Sequence, residues 1–215
     1  MQTNQNQNSY YDIEFDFEGI MLESGMVDEM FYLKDLKQRK LFLNEGIRQS
    51  SVADIVKHIM QYNCEDKDIP AENRKPILLY VVSNGGEVDS GFELIDVIQN
   101  SKTPVYTVNL GYQYSMGFLI GLAGHKRYAT KNAKFLMHDG SNFVYDSGAK
   151  AQDRMRFDSK VEERTKAYIL SRGNLTSEEY DAKFRVEWYM FADEAKERGF
   201  IDYIIGEDCD MDEVI

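Results

Sequence analysis

Two different patterns of apolar residues are found along the chain. Between Tyr11 and Glu18, apolar and acidic residues alternate one by one, and this period of two predicts a strand with one buried or partner-facing side. From about Leu36 onward, short apolar runs alternate with stretches in which apolar residues recur every three or four positions. Such alternation of strands and helices is typical of an α/β fold with parallel strands joined by right-handed crossovers.

The apolar runs predict the strands of this fold. The run Ile77–Val82 is continuous, which is typical of a strand buried on both faces. The other predicted strands are Lys40–Leu43, Val105–Leu110, Arg127–Thr130, Lys134–His138 and Ile201–Ile205.

Helix signals fall between these strands. Ser51 and Asp54 have the spacing of a capping box and predict a helix start. A second helix follows the turn Gly85-Gly86. The remaining predicted helices are about Ser115–Ala123, a long charged helix over about Ala149–Arg172, one begun by the capping-box pair Thr176 and Glu179, and one near Asp193–Arg198.

Composition predicts one soluble globular domain with an appendage. The chain has 215 residues, of which 43% are hydrophobic and 29% charged. No run reaches the roughly 18 to 20 apolar residues needed to span a bilayer, and the Gln/Asn-rich start lacks the features of a secretory signal. Cys64 and Cys209 are far apart without metal spacing, so we expect free thiols and a cytoplasmic protein.

The net charge of −12 belongs to the two ends of the chain. Residues 1–33 and 199–215 hold 13 of the 37 acidic residues and none of the 25 basic ones, so the middle is close to neutral. A chain without a basic footprint is not expected to bind a nucleic-acid backbone. Solvated ends are the simplest interpretation.

Two side chains are candidates for chemistry. His138 closes an apolar strand, a position from which α/β folds present reactive groups, although a structural histidine is an open alternative. Ser115 lies at a strand-to-helix junction, where a serine is ordinarily an N-cap. Gln113 stands where a Gly-x-Ser-x-Gly elbow has its first glycine. A helix start offers unpaired N–H groups to an oxyanion, here that of Met116, and the pair Gly85-Gly86 is the candidate source of a second.

Four stretches, in order, resemble the motifs of one known family. They are residues 83–91 (SNGGEVDSG), 111–117 (GYQYSMG), 135–138 (FLMH) and 189–202 (YMFADEAKERGFID). Together they are similar to the proteolytic subunit of the Clp protease, and the resemblance covers about Leu36 to Ile205. It implies a crotonase-like spiral of strand-strand-helix units with a protruding handle helix.

The resemblance also implies a serine endopeptidase. Ser115 falls on the family's nucleophile and His138 on its general base, while Gly86 and Met116 fall on the oxyanion hole. Glu187 is aligned with the third member of the triad, which is normally an aspartate. No metal or organic cofactor is implied.

An assembly and three segments follow from the same resemblance. Residues 1–35 are expected to be an acidic, axial N-terminal segment, 36–205 the catalytic domain with a handle over about 141–175, and 206–215 an acidic tail. Two stacked heptameric rings of identical subunits would enclose the active sites. An ATP-driven AAA+ unfoldase would deliver polypeptide substrates, and neither membrane nor nucleic acid is an expected partner.

Several positions depart from the family pattern. Asn84 replaces a proline, and Asp139-Gly140 follows the histidine where Gln-Pro is usual. Glu187 is the most consequential departure, and its neighbours Trp188 and Tyr189 predict an apolar surrounding for the carboxylate. The next candidate for the third triad member is Asp181.

Three alternatives stay open. The chain could be a catalytically silent ring subunit, for which Glu187 is the only argument. It could be a crotonase-type enzyme acting on acyl-coenzyme A, which would leave Ser115 and His138 without a role. A Ser–Lys dyad would require Lys131 or Lys134 near the serine.

Overall fold

A computed structural model describes residues 26–140 and 147–215. The chain forms two compact units, which meet in sequence between Gln38 and Arg39. In the first unit, the described part is helix α1 (Val27–Lys37). Its apolar residues are spread around the helix axis, so the periodicity did not predict it. The strand predicted over residues 11–18 lies outside the described residues, and the division at residues 36 and 206 stays a prediction.

The second unit alternates strands and helices, as predicted. In chain order it contains β1 (Lys40–Leu43), α2 (Gln49–Glu65), β2 (Ile77–Val81), α3 (Val88–Asn100), β3 (Val105–Asn109), β4 (Tyr112–Tyr114), α4 (Met116–Leu122), β5 (Lys126–Thr130), β6 (Lys134–Met137), α5 (Gly148–Arg172), α6 (Ser177–Phe184), β7 (Trp188–Phe191), α7 (Ala192–Glu197) and β8 (Tyr203–Ile205).

The larger sheet is parallel throughout, and its strand order is β1-β2-β3-β5-β8. All five residues of β2 are buried, which agrees with its unbroken apolar sequence. Helices α3 and α4 cover the sheet with apolar residues that are fully buried, among them Leu94, Ile98 and Ile120. The α/β class predicted from the pattern is confirmed.

A second sheet was not predicted. It has the order β4-β6-β7, in which β4 and β6 are parallel and β6 and β7 are antiparallel. The sequence pattern missed β4 because a strand of three residues has no measurable period, and β7 breaks the expectation of parallel pairing. This sheet positions two of the candidate residues, because β4 leads into Ser115 and β6 leads into His138.

Helix boundaries follow the capping signals unevenly. Thr176 caps α6 as predicted, since its hydroxyl accepts the Glu179 N–H at 3.2 Å and its own N–H donates to the Glu179 carboxylate at 3.0 Å. The start of α2 was predicted two residues too late. Ser51 accepts the Arg48 N–H at 3.0 Å, so it lies inside the first turn and is not the cap.

Side-chain hydrogen bonds hold the C-terminal end of helix α5 against α4 and the residues that follow it. The Tyr168 hydroxyl donates to the Leu119 carbonyl at 3.0 Å, and Arg172 donates to the carbonyls of Leu122 and Gly124 at 2.7 and 2.6 Å. Towards the other end, Phe157 is 57% exposed. In the described parts of the chain, no helix is both long and apolar enough to cross a membrane.

Candidate active site

Ser115 has a strained backbone at the junction of β4 and α4. Its φ of 53° and ψ of −121° lie in a region that residues with side chains rarely adopt. The conformation is held because the Ser115 N–H donates to the Leu136 carbonyl of β6 at 2.9 Å and its own carbonyl accepts the Phe118 N–H at 3.0 Å. The Ser115 side chain makes no capping hydrogen bond. The ordinary N-cap role therefore does not account for this serine, and backbone strain of this kind is found at functional sites.

The loop after β2 lies directly against this serine. Gly85 has a φ of 95°, and a Cβ atom added to it would lie 2.7 Å from the Ser115 Cβ and 3.0 Å from the Met116 nitrogen. A Cβ atom on Gly86 would overlap the Ile47 carbonyl oxygen. Both glycines are thus required by the close approach of three backbone segments.

In the same loop, the backbone N–H of Gly86 is directed away from the neighbouring residue Ile47. The Ile47 N–H donates to the Gly85 carbonyl at 2.9 Å, and the Glu87 N–H donates to the Ile47 carbonyl at 2.8 Å. Because successive peptide groups in an extended segment point to opposite sides, the Gly86 N–H points away from Ile47. Gly86 and Met116, the two residues predicted to supply oxyanion donors, both line the same cavity.

His138 lines this cavity together with Ser115. The register explains the proximity: β4 and β6 are parallel neighbours, and Tyr114 of β4 is paired with Leu136 of β6. Residues that follow the two strands therefore leave the sheet at the same edge. Four of the five residues predicted for the site are brought together in this way.

The cavity has a volume of about 590 Å³ and two kinds of wall. The glycine loop, α3, α4 and the end of β6 line one part of the cavity, α5 lines another, and Phe184 of α6 also contributes. The residues from α5 are Arg154, Phe157, Asp158, Val161, Glu162, Thr165 and Ile169. The sequence prediction missed this contribution, although the spacing of these residues by three and four was a usable signal for one helix face.

Glu187, the fifth predicted residue, is not among the described residues that line the cavity. Its carboxylate accepts a hydrogen bond from the Tyr189 hydroxyl at 3.2 Å, and this bond raises the pKa of the Tyr189 phenol. Met137 is paired with Trp188, so His138 and Glu187 are the next residues along β6 and β7. Glu187 is exposed in the single chain, and the predicted apolar surrounding of its carboxylate is wrong.

The other residues considered for the triad or for a Ser–Lys dyad are paired with other side chains or lie away from His138. Asp181 is exposed on α6 and forms a salt bridge with Lys166 at 2.6 Å. Lys131 pairs with Glu207 at 2.7 Å, and Lys134 lies at the opposite end of β6 from His138. Of the described residues, no three or more His, Cys, Asp or Glu side chains are grouped so that they could hold a metal ion. The residues gathered at the cavity supply a hydroxyl, an imidazole and the backbone N–H groups of Gly86 and Met116.

Comparison with known proteins gives the class. The family model of the Clp protease matches residues 24–208, so the chain belongs to the Clp protease family, and its predicted crotonase-like fold is confirmed. ATP-dependent Clp protease proteolytic subunit 2 of Treponema pallidum (strain Nichols) is 29% identical over 191 residues, which cover 88% of this chain and 92% of that protein. Family membership removes the support for an acyl-coenzyme A enzyme.

Proposed function

We propose that this chain is a serine endopeptidase that hydrolyses unfolded polypeptides by an acyl-enzyme mechanism. The observation that carries the proposal is the strained backbone of Ser115, held between the Gly85 loop and β6 at a cavity that His138 also lines. A strained serine whose side chain makes no capping bond is of use to catalysis rather than to folding.

The reaction follows from the chemistry of these groups. His138 accepts the Ser115 hydroxyl proton as the oxygen attacks a substrate carbonyl, and the N–H groups of Gly86 and Met116 bind the oxyanion. The imidazolium then protonates the leaving amine, which breaks the peptide bond and leaves an ester on Ser115. A water molecule, activated by the same imidazole, hydrolyses that ester and restores the enzyme.

Glu187 is the proposed third member of the triad. If the β6–β7 pairing is extended by one residue, Glu187 and His138 are directly opposite, where Cβ atoms are typically about 5 Å apart. Turning the Glu187 side chain from Tyr189 towards His138 would let its carboxylate hold the imidazole tautomer and stabilise the imidazolium.

The proposed setting is a chamber of two stacked heptameric rings in the cytoplasm, supplied by an AAA+ unfoldase. The exposed apolar side chain of Met155 on α5, which is 63% exposed and does not line the cavity, suits a helix that packs against another subunit. The relative from Treponema pallidum is described as ATP-dependent. The sequence contains neither a phosphate loop nor a dinucleotide-binding fingerprint, and this is consistent with ATP use by a separate partner.

A silent ring subunit is the second candidate. The hydrogen bond between Glu187 and Tyr189 favours it, because a carboxylate engaged there does not orient His138. The two candidates differ in what the purified protein does to an unfolded peptide.

Peptide hydrolysis tests the proposal. The parent chain should cleave an unstructured fluorogenic peptide, and Ser115→Ala should abolish cleavage without changing the fold. Ser50→Ala is the matched control, since Ser50 is exposed at the start of α2 and should leave the rate unchanged. Hydrolysis by Ser115→Ala at the parent rate would contradict the nucleophile, and a parent that cleaves no peptide would favour the silent subunit.

A further inference from the structure

The face of α5 that closes the cavity has two rows of side chains. Arg154, Asp158 and Glu162 are spaced by four residues and form a charged row. Phe157 and Val161 form a parallel apolar row, continued by Thr165 and Ile169. A polypeptide in the cavity therefore meets an apolar stripe beside a charged one.

The charges of Arg154, Asp158 and Glu162 do not cancel one another. Arg154 forms a salt bridge with Asp158 at 2.9 Å, and the Asp158 side chain is only 13% exposed, so these two charges compensate each other. Glu162, one turn further along, is not a partner in the salt bridges formed between described residues. Lys166, the basic residue one turn beyond it, is paired with Asp181 at 2.6 Å, so the Glu162 charge stays available to a ligand.

The opposite wall adds charge of the same sign. Glu87 and Asp89, at the start of α3, line the cavity too. The Glu87 carboxylate accepts hydrogen bonds from the Ser90 hydroxyl at 2.7 Å and the Gln49 N–H at 3.2 Å, which orient it without cancelling its charge. Among the described residues that line the cavity, four carry a carboxylate and one, Arg154, carries a guanidinium. A cleft lined by one sign of charge concentrates ligands of the opposite sign.

We propose that Glu162 is a specificity-determining residue that makes this cavity prefer polypeptide segments in which a basic side chain is adjacent to an apolar one. The inference rests on the proposed function, because the cavity is the one that Ser115 and His138 line. The apolar side chain packs against Phe157, Val161 and the neighbouring apolar wall. The basic side chain lies near Glu162, with Glu87 and Asp89 excluding acidic side chains from the same space.

The apolar row makes the charge preference stronger than it would be on an open surface. A bound apolar side chain would cover Phe157, which is 57% exposed, and displace water from beside the basic side chain, so the two charges would interact more strongly there than in open water. Glu162 is still reached by solvent, so the preference should weaken as salt screens it over a Debye length of about 8 Å at physiological ionic strength.

The test uses three unstructured peptides that differ at one position beside a constant apolar residue, where they carry Lys, Gln or Glu. The full chain should cleave the Lys peptide with a kcat/KM about tenfold above that of the Glu peptide at low salt, with the Gln peptide between them. Raising the salt concentration should bring the three values together. Dissociation constants for the same peptides, measured on Ser115→Ala, should follow the same order.

Two variants of adjacent residues separate this cavity from general surface charge. Glu162→Gln should lower the Lys-to-Glu ratio about threefold, and Glu162→Lys should lower it about tenfold. Glu163→Gln is the matched control, because it removes the same charge from the next residue of α5, which does not line the cavity. It should leave the ratio unchanged.

The outcomes of these experiments distinguish the charge preference from the proposed peptidase activity on which it rests. Equal cleavage of all three peptides, or equal effects of Glu162→Gln and Glu163→Gln, would overturn the charge preference while leaving the peptidase intact. Absence of cleavage of every peptide would overturn the proposed function and the specificity together. A ratio that falls only on substitution of Glu162 supports both.

Discussion

Gly85→Ala should disrupt the site more than the fold at large. The added methyl carbon would lie 2.7 Å from the Ser115 Cβ, 2.9 Å from the Tyr114 carbonyl oxygen and 3.0 Å from the Met116 nitrogen. None of these atoms can move as the tip of a flexible side chain can, so the two backbone segments must separate. The separation would shift both the nucleophile and the oxyanion donor of Met116.

The expected loss of stability in Gly85→Ala has two parts. Forcing extra volume into a tightly packed region costs about 1–3 kcal/mol, and giving Gly85 a Cβ atom at its φ of 95° adds about 1–2 kcal/mol. We expect Gly85→Ala to lower the free energy of unfolding by about 2–5 kcal/mol, measured in urea at constant protein concentration. Modification of the serine by a fluorophosphonate should slow by at least about tenfold, since small displacements of reacting atoms are costly.

Two other glycines separate these contributions. Gly206 has a φ of 88° with nothing within 4 Å of an added Cβ atom, so Gly206→Ala measures the backbone cost alone. Gly148, in α5, has open space and no positive φ, so Gly148→Ala should be neutral or slightly stabilising. If Gly85→Ala is no less stable than Gly206→Ala and is labelled at the parent rate, the close packing of the loop against Ser115 is wrong.

Three further predictions concern the triad, acid stability and assembly. Glu187→Gln should lower kcat by about 100-fold or more while Glu187→Asp keeps measurable activity; parent activity in Glu187→Gln would mean that the carboxylate is not used. Arg39 donates to both Asp66 carboxylate oxygens at 2.6 and 2.7 Å and lowers the pKa of that carboxyl. The resulting stabilisation is complete above the unfolded-state pKa of about 3.9 and is lost as pH falls through the lower folded-state value. Asp66→Asn should therefore be less stable by roughly 3 kcal/mol at neutral pH and lose less stability in acid titrations, and equal acid profiles would contradict this. Sedimentation should give a particle many times 24.9 kDa, and a monomer at micromolar concentration would exclude the rings.

The larger sheet was predictable because its strands are long enough to have a pattern. The unbroken apolar run of β2 and the capping-box spacing at Thr176 each depend on local physics that the sequence displays directly. Helix α1 and strand β4 were missed for the opposite reason. One has apolar residues on all sides, and the other is too short for any periodicity.

The site was predictable only in part. The motifs around Ser115 and His138 pointed to the right strand ends, but the closeness of the two residues depends on the pairing of β4 with β6, which leaves no trace in local sequence. The exposure of Glu187 was mispredicted because the rings beside it do not cover its carboxylate. The Trp188 ring packs against Phe200, and Tyr189 packs its ring against Tyr114 and reaches the carboxylate with its hydroxyl. To predict that α5 forms a wall of the cavity, one would have needed to know which face of the helix is turned towards the body of the protein.

Covalent labelling of the parent chain with a fluorophosphonate, followed by mapping of the adduct by mass spectrometry, tests the nucleophile most directly. The reagent reacts with a serine only where a base and an oxyanion site are already in position, so it reports the whole arrangement. We predict a single adduct on Ser115 that is absent from Ser115→Ala and strongly reduced in His138→Ala. An adduct on another residue, or no adduct on the folded and assembled protein, would contradict the assignment of Ser115 as an active nucleophile.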